Sequence, residues 1–297
     1  MIRRPPRSTH CISSAASDVY KRQGFDVIIL EANRVGFGAS GRNGGQVGSG
    51  QRWDQEKIEK HFGFNKAKIF WEISQDAKKE VISRMKLHNI DCDFSPGIIN
   101  ATINRKDTNN LFDEVNNLKK KYQYTKIQKL SSSELSTIID TDLYDGGCLD
   151  FGAGHLNPLK FVQGLGTAAK KNNVQIFEKC CVEKIDYGKK NIISVSNGYT
   201  VISDYLIIAC NGYLGNLEPN ISSRVMPINN FILTTEVLGN NLLNSFLNNN
   251  YAVADNKFVP NYFRPSPDNR LIFGGGENYT YRFCLLYTSP SPRDQRG

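Results

Sequence analysis

Glu31 closes a short apolar run at 26–30, and a glycine-rich loop follows it directly. Residues 36–46 read GFGASGRNGGQ, which sets Ser40, Arg42 and Asn43 among five glycines. A carboxylate at the end of a buried strand can accept hydrogen bonds from the ribose of a dinucleotide. Glycines let backbone N–H groups approach an anionic cofactor closely, and Arg42 adds a cation beside them. The chemistry this segment could do is the binding of a phosphate-bearing nucleotide, and a surface loop after an ordinary strand is the alternative. Metal chemistry has no comparable support. The chain has four histidines without ligand spacing, and its cysteines form no C-x-x-C pair.

The loop needs elements to position it. The run at 26–30 is rich in β-branched residues and suits a buried parallel strand. Residues 65–89 predict a long amphipathic helix with Ile69, Ile73, Ala77, Val81 and Met85 on its apolar stripe. A strand pair turning at Ser95-Pro96-Gly97 is expected over 93–104, a polar helix over 106–121, and a short helix over 131–139 capped by Ser131 or Ser132. A strand at 146–151 leads into Gly152-Ala153-Gly154-His155. Pro158 opens the next helix, with Leu159, Val162, Leu165 and Ala169 inward. Short strands are predicted at 174–177 and 181–187, with a hairpin of 192–196 and 200–203 around Asn197-Gly198. Residues 204–209 (DYLIIA) read as a buried strand ending in Cys210-Asn211-Gly212. Further strands are expected at 226–238, 257–264 and 270–273, with Asp268-Asn269 as a turn.

The two ends do not fit this pattern. Residues 1–23 contain no glycine, so they cannot supply the G-x-G-x-x-G turn that opens a dinucleotide fold. They also lack a continuous apolar h-region and so do not read as a secretory signal. Residues 1–23 and 284–297 both resemble translated adapter sequence, and they are set aside as non-native. This changes the meaning of the formal net charge of +8. The first segment carries Arg3, Arg4, Arg7, Lys21 and Arg22 against Asp18, and the last carries Arg293 and Arg296 against Asp294, which leaves a balance of +3 for 24–283. Lys119, Lys120 and Lys121 at a helix end read as a solvated face, and nucleic-acid binding is not expected. No run approaches the roughly eighteen apolar residues of a membrane span. Cys92, Cys148, Cys180, Cys181 and Cys210 read as free thiols in a reducing cytoplasm.

The string LEANRVGFGASGRNGGQ at 30–46 resembles the second strand and following loop of the D-amino-acid-oxidase-like FAD oxidoreductases. RVMPINNFI at 224–232 and the Tyr-Phe-Arg segment at 262–264 are similar to the gamma-glutamylputrescine oxidoreductase branch of that family. The resemblance implies an α/β (mixed α+β) fold, with a Rossmann-like FAD-binding domain interleaved with an antiparallel-sheet substrate domain. The FAD part would comprise 24–50 and 145–223, and the substrate part 51–144 and 224–283. Carried over residue by residue, Glu31 would hold the adenosine ribose, with Ala32 and Asn33 beside it. Gly38, Ala39 and Ser40 would approach the pyrophosphate, and Arg42, Asn43, Gly44, Gly45 and Gln46 would run towards the isoalloxazine. Val182 would pack on the adenine, and Ala209 and Gly212 would bring backbone to the cofactor. Tyr262 and Arg264 would face the substrate, with Arg264 on a substrate carboxylate.

The implied reaction is oxidation of a small-molecule amine. The deprotonated amine gives hydride to flavin N5, the imine hydrolyses, and dioxygen reoxidises the flavin with formation of peroxide. No side chain is assigned as the base. The resemblance also implies a first strand with its phosphate turn and a C-terminal glycine-rich segment that 24–283 does not contain. Without its central strand, a parallel sheet exposes unpaired edges, so the expectation is weak FAD retention and aggregation. A non-catalytic binding fragment of the same fold is the first alternative. An NAD-dependent dehydrogenase is the second, although the loop at 36–46 has no role in the simple NAD fold.

Overall fold

The computed structural model describes residues 24–239, 247 and 249–278. The adapter-like ends at 1–23 and 284–297 lie outside the described residues. Two small sheets and one large sheet carry the architecture. β1 (Ile28–Leu30) pairs in parallel with β6 (Gln175–Phe177). Between them in the chain runs α5 (Pro158–Lys171), which starts with Pro158 and is capped by the Asn157 side chain on the Lys160 amide. This is a strand–helix–strand unit, and Val27, Ile29, Ala169 and Val174 form its apolar core. β7 (Val182–Asp186), β8 (Asn191–Val195) and β9 (Thr200–Ser203) make an antiparallel sheet, with Gly198 at φ 83° in the expected Asn-Gly hairpin.

The large sheet has eight strands and is built around β5 (Gly146–His155). One edge of β5 pairs with β3 (Ser95–Thr102). The other edge is shared by β2 (Gln46–Val47), opposite Gly154 and His155, and by β4 (Ile127–Ser131), opposite 146–150. Beyond β3 lie β11 (Ala252–Asp255), β12 (Tyr262–Pro265), β13 (Leu271–Asn278) and β10 (Asn229–Thr234). The sheet is antiparallel except for β3 against β11, which run parallel, so the expected all-antiparallel arrangement is corrected at that pair. Helices α1 (Gln55–Phe62), α2 (Phe64–Leu87), α3 (Arg105–Lys121) and α4 (Ser132–Ser136) precede or follow its strands. Ser131 caps α4 in a reciprocal capping box with Glu134.

Several expectations are overturned. The buried face of α2 is Ala67, Trp71, Ser74 and Lys78, whereas Ile69 and Ile73 are 54% and 55% exposed. Trp71 decides this, because its large ring packs with Val115, Leu118, Tyr124 and Ile127. Ser95-Pro96-Gly97 makes no hairpin. It lies within one strand, at a register shift where Pro96 pairs with Gly154 and Ile98 with Asp150, and there Gly97 adopts φ 106° and a Cβ would fall 2.3 Å from the Tyr251 ring. The predicted break after Phe151 is absent, since β5 continues through to His155. Residues 257–260 are loop rather than strand, and β11 was not foreseen. Residues 204–209 form no strand: a strand is defined by ladder partners, and this apolar run has none among the described residues.

Candidate functional site

The glycine-rich loop is anchored at both ends and open along its middle. After β1, the Glu31 amide donates to Phe177 O at 2.9 Å, and the Glu31 and Asn33 carbonyls accept from Cys180 N at 2.9 Å and Lys179 N at 2.8 Å. The Glu31 carboxylate, at the strand end, accepts from the Asn33 amide at 2.8 Å, and Ala32 and Asn33 are exposed. Arg42 folds back on its own loop, with Nε on Phe37 O and the guanidinium 4.2 Å above the Phe37 ring. Asn43 closes the loop internally, with Nδ2 on Ala39 O and Ser40 O and Oδ1 accepting from Gly45 N. The amides of Gly38, Ala39 and Ser40 have no acceptor among the described residues. Three consecutive free N–H groups on an exposed loop form the kind of concavity that receives an anion. The loop therefore fits a dinucleotide phosphate.

The far end of the loop is held under the large sheet. Gly45 has φ 73°, and a Cβ there would fall 1.9 Å from Leu156 O, so only glycine fits. Gly45 O accepts from Leu156 N at 2.9 Å. Gln46 continues into β2 opposite His155, and its Nε2 reaches Val253 O at 3.5 Å. Tyr262 lies across this segment: a Cβ at Gly44 would meet its ring at 2.9 Å, and one at Gly274 at 2.0 Å. Its hydroxyl donates to Asn230 Oδ1 at 2.7 Å, and burial pushes the phenol pKa up, which keeps it neutral. Arg264 is 4% exposed and donates from Nε to Gly44 O at 2.8 Å, from Nη1 to Pro265 O at 3.3 Å and from Nη2 to Leu156 O at 3.1 Å. It thus joins the loop, β12 and the end of β5. Three of its five N–H groups are committed to backbone carbonyls.

Val182 is half-buried and lines a small apolar pocket with Leu30, Ile193, Leu206 and Cys210. Ala209 is exposed, and Gly212 sits in a 3₁₀ turn, Asn211–Tyr213, beside Pro227. Tyr213, which the sequence did not single out, brings this turn to the loop, its ring 3.6 Å from a Cβ built on Gly38. Two buried polar groups were also missed. His155 is 1% exposed, with Nε2 on Asn250 O at 2.9 Å and Nδ1 without a partner. Lys78 is 6% exposed and reaches Ser49, two residues beyond β2. A lysine at a position in register with Trp71 and Ser74 was the available signal. Among the described residues no His, Cys, Asp and Glu cluster could hold a metal ion, and no helix is long and apolar enough to cross a membrane.

A strand–helix–strand packing is joined by a glycine-rich loop to a large mixed sheet. The family described as "DAO: FAD dependent oxidoreductase" matches residues 13–296, and this chain belongs to it, with FAD as the family's cofactor. The chain is 34% identical over 260 residues to the gamma-glutamylputrescine oxidoreductase of Escherichia coli (strain K12), covering 87% of this chain and 61% of that protein. It is 35% identical over 273 residues to the probable oxidoreductase OrdL of Rhizobium meliloti, covering 92% and 61%. The chain thus spans about three fifths of the length of these relatives. In fold it resembles glycine oxidase from Geobacillus kaustophilus, with a TM-score of 0.68 at 15% identity over 93% of this chain and 72% of that one. L-proline dehydrogenase from P. horikoshii gives 0.67 at 15% identity over 98% and 75%.

Proposed function

We propose that this chain is part of an FAD-dependent enzyme that oxidises a primary or secondary amine or an amino acid, in the manner of gamma-glutamylputrescine. One observation carries this reading. A single loop offers free amides at Gly38, Ala39 and Ser40 and, six residues past Gly38, runs beneath the Tyr262 ring at Gly44. The same segment can therefore hold a phosphate at one end and border a flat ring at the other. When bound, FAD would supply the hydride acceptor.

The chain's own residues would do the rest. Glu31 accepts from ribose hydroxyls beside Ala32 and Asn33, and Arg42 balances phosphate charge from the loop's rim. Asn43 fixes the loop's shape, so that Gly44, Gly45 and Gln46 meet the ring as backbone. Val182 packs on the adenine, and Ala209 and Gly212 approach through the turn that carries Tyr213. Tyr262 walls the substrate cavity, excludes water and donates rather than accepts. Arg264 sets the course of the loop, and its two remaining N–H groups are available to a substrate carboxylate. A desolvated cavity favours the neutral amine, which is the form that can release hydride. Dioxygen is the proposed acceptor and the cytoplasm the proposed setting. The proposed division gives 24–50 and 145–223 to FAD and 51–144 and 224–283 to substrate, with β5 reaching across both in the large sheet.

A second reading, a binding fragment without turnover, draws on the run at 204–209, which pairs with no strand among the described residues. Flavin separates the two. The chain is incubated with FAD and desalted, and the flavin spectrum is followed anaerobically as gamma-glutamylputrescine, glycine or proline is added. Where flavin is retained, against the weak retention expected from the sequence, we expect bleaching by an amine and recovery with peroxide in air. Loss of flavin on desalting, or aggregation, favours the fragment. Retained flavin that no amine bleaches overturns the amine reading.

A further inference from the structure

The segment leaving β2 is fastened to α2 residue by residue. Ser49 Oγ accepts from Lys78 Nζ, the Gly50 amide donates to Ser74 Oγ at 3.2 Å, and Gln51 Nε2 donates to Phe70 O at 3.1 Å. Positions 78, 74 and 70 lie one helical turn apart on one face, so three consecutive residues dock on three successive turns. The segment needs such a fastening because Ser49 stands between Gly48 and Gly50, and Gly50 has φ 77°.

Lys78 is the centre of this arrangement. Its Nζ also donates to Tyr124 OH at 3.2 Å and to Gly152 O at 3.0 Å. Tyr124 OH donates in turn to Asp150 Oδ1, which also accepts from the Gly152 amide at 2.9 Å, and Ser49 Oγ lies 3.1 Å from Tyr124 OH. One assignment of protons that satisfies every contact keeps Lys78 charged. In it the ammonium gives all three of its hydrogens, Ser49 gives its own to Tyr124, and Tyr124 gives its own to Asp150 Oδ1. In that arrangement a neutral amine, with two hydrogens, leaves one of the three acceptors without its donor.

We propose that Lys78 is a positioning residue whose charge, passed through Ser49, fixes the chain segment 48–51 that continues from the flavin-side strand β2. This rests on the reading that Gln46 and Val47 border the flavin. Burial lowers the Lys78 pKa and Asp150 raises it, while Lys126 and Lys79 lower it further, so the ammonium is lost at a less alkaline pH than for a free lysine.

The test uses the full chain with Lys78→Met, which keeps length and removes charge, and Ser49→Ala, which leaves the helix intact if Lys78→Met fails to fold. Hydrogen exchange is measured at 48–51 from pH 7 upwards as protection relative to intrinsic rates, alongside FAD retention. We expect either variant to lower protection at Gly50 by about tenfold, the loss of one charge-assisted hydrogen bond. The unmodified chain should lose the same protection on alkaline titration, and Lys78→Met should show no such pH step. FAD retention should fall in parallel. Unchanged protection in Ser49→Ala, or a pH step that survives in Lys78→Met, overturns the proposal. Lowered protection with unchanged FAD retention also overturns its cofactor role. If the unmodified chain takes up no FAD, the weak retention expected from the sequence holds and the cofactor role is overturned for this chain, while exchange at Gly50 still decides whether Lys78 fixes the segment.

Discussion

Glu114 shows how a single residue can be held out of its ordinary state. It lies on α3, and its Oε1 accepts from the Gln55 amide at 2.7 Å at the start of α1, while its Oε2 is buried without a partner. Burial raises its carboxyl pKa, against the lowering effect of the Gln55 amide. The folded state therefore prefers the protonated form. This contribution is full below the unfolded carboxyl value and is lost as pH rises through the folded one. Glu114→Gln keeps the acceptor and removes the ionisation, so it is expected to raise Tm at pH 7, by a few degrees at most, and to leave it nearly unchanged near pH 4. A lower Tm at pH 7 would count against this account. At the same scale, the glycine loop was legible because Gly, Ser, Arg and Asn are informative in themselves. Lys78, His155 and Glu114 were not, since the residue type argues for exposure and only the packed partners argue otherwise.

The starts of α2, α3, α4 and α5 were read closely from the chain, because caps and periodicity are local, whereas α1 was not foreseen. Asn104 accepts from the Asp107 amide before α3, Ser131 makes the box before α4, and Asn157 precedes Pro158. Asn157 has a second contact, from Nδ2 to Asp93 Oδ2 at 3.4 Å. Asn157→Ala should cost about 1 kcal/mol in urea denaturation, the usual loss for an N-cap. An unchanged midpoint would mean that packing of Leu165, Ala168 and Ala169 fixes the helix without its cap. Which face a helix buries was harder to read. In α2 two offset stripes compete, and the one holding Trp71 wins because of the size of its ring. Strands were hardest, since 204–209 and 257–260 have strand composition while β11 is recognisable only beside β3 and β12. Composition permits a strand, but a neighbour makes one.

At the scale of the whole molecule, the glycine-rich loop meets the large sheet at the end of β5, and His155 stands at that junction. Burial holds its imidazole pKa below the ordinary 6.5, and the Arg264 charge nearby acts in the same direction. The unfolded chain takes up a proton near 6.5 that the folded chain refuses. Stability is thus full above about pH 6.5 and declines as pH falls through that value towards the folded one. Thermal denaturation from pH 7.5 to 5 should show this decline, and His155→Gln should flatten it. An equal slope in the variant would assign the acid sensitivity elsewhere.

The edge of β5 shared by β2 and β4 carries a constraint on length. β4 ends its ladder at Asp150, with one further backbone bond from the Phe151 amide to Lys126 O at 2.8 Å, β2 reaches only Gly154 and His155, and the Gly152 carbonyl between them is taken by Lys78. A side chain thus fills a seam in the ladder that backbone would otherwise close. Neither short strand can grow along that edge while the lysine stays. Insertions at either strand end should be tolerated only together with replacement of residue 78, so length in one segment and residue type in a distant helix should vary as a pair.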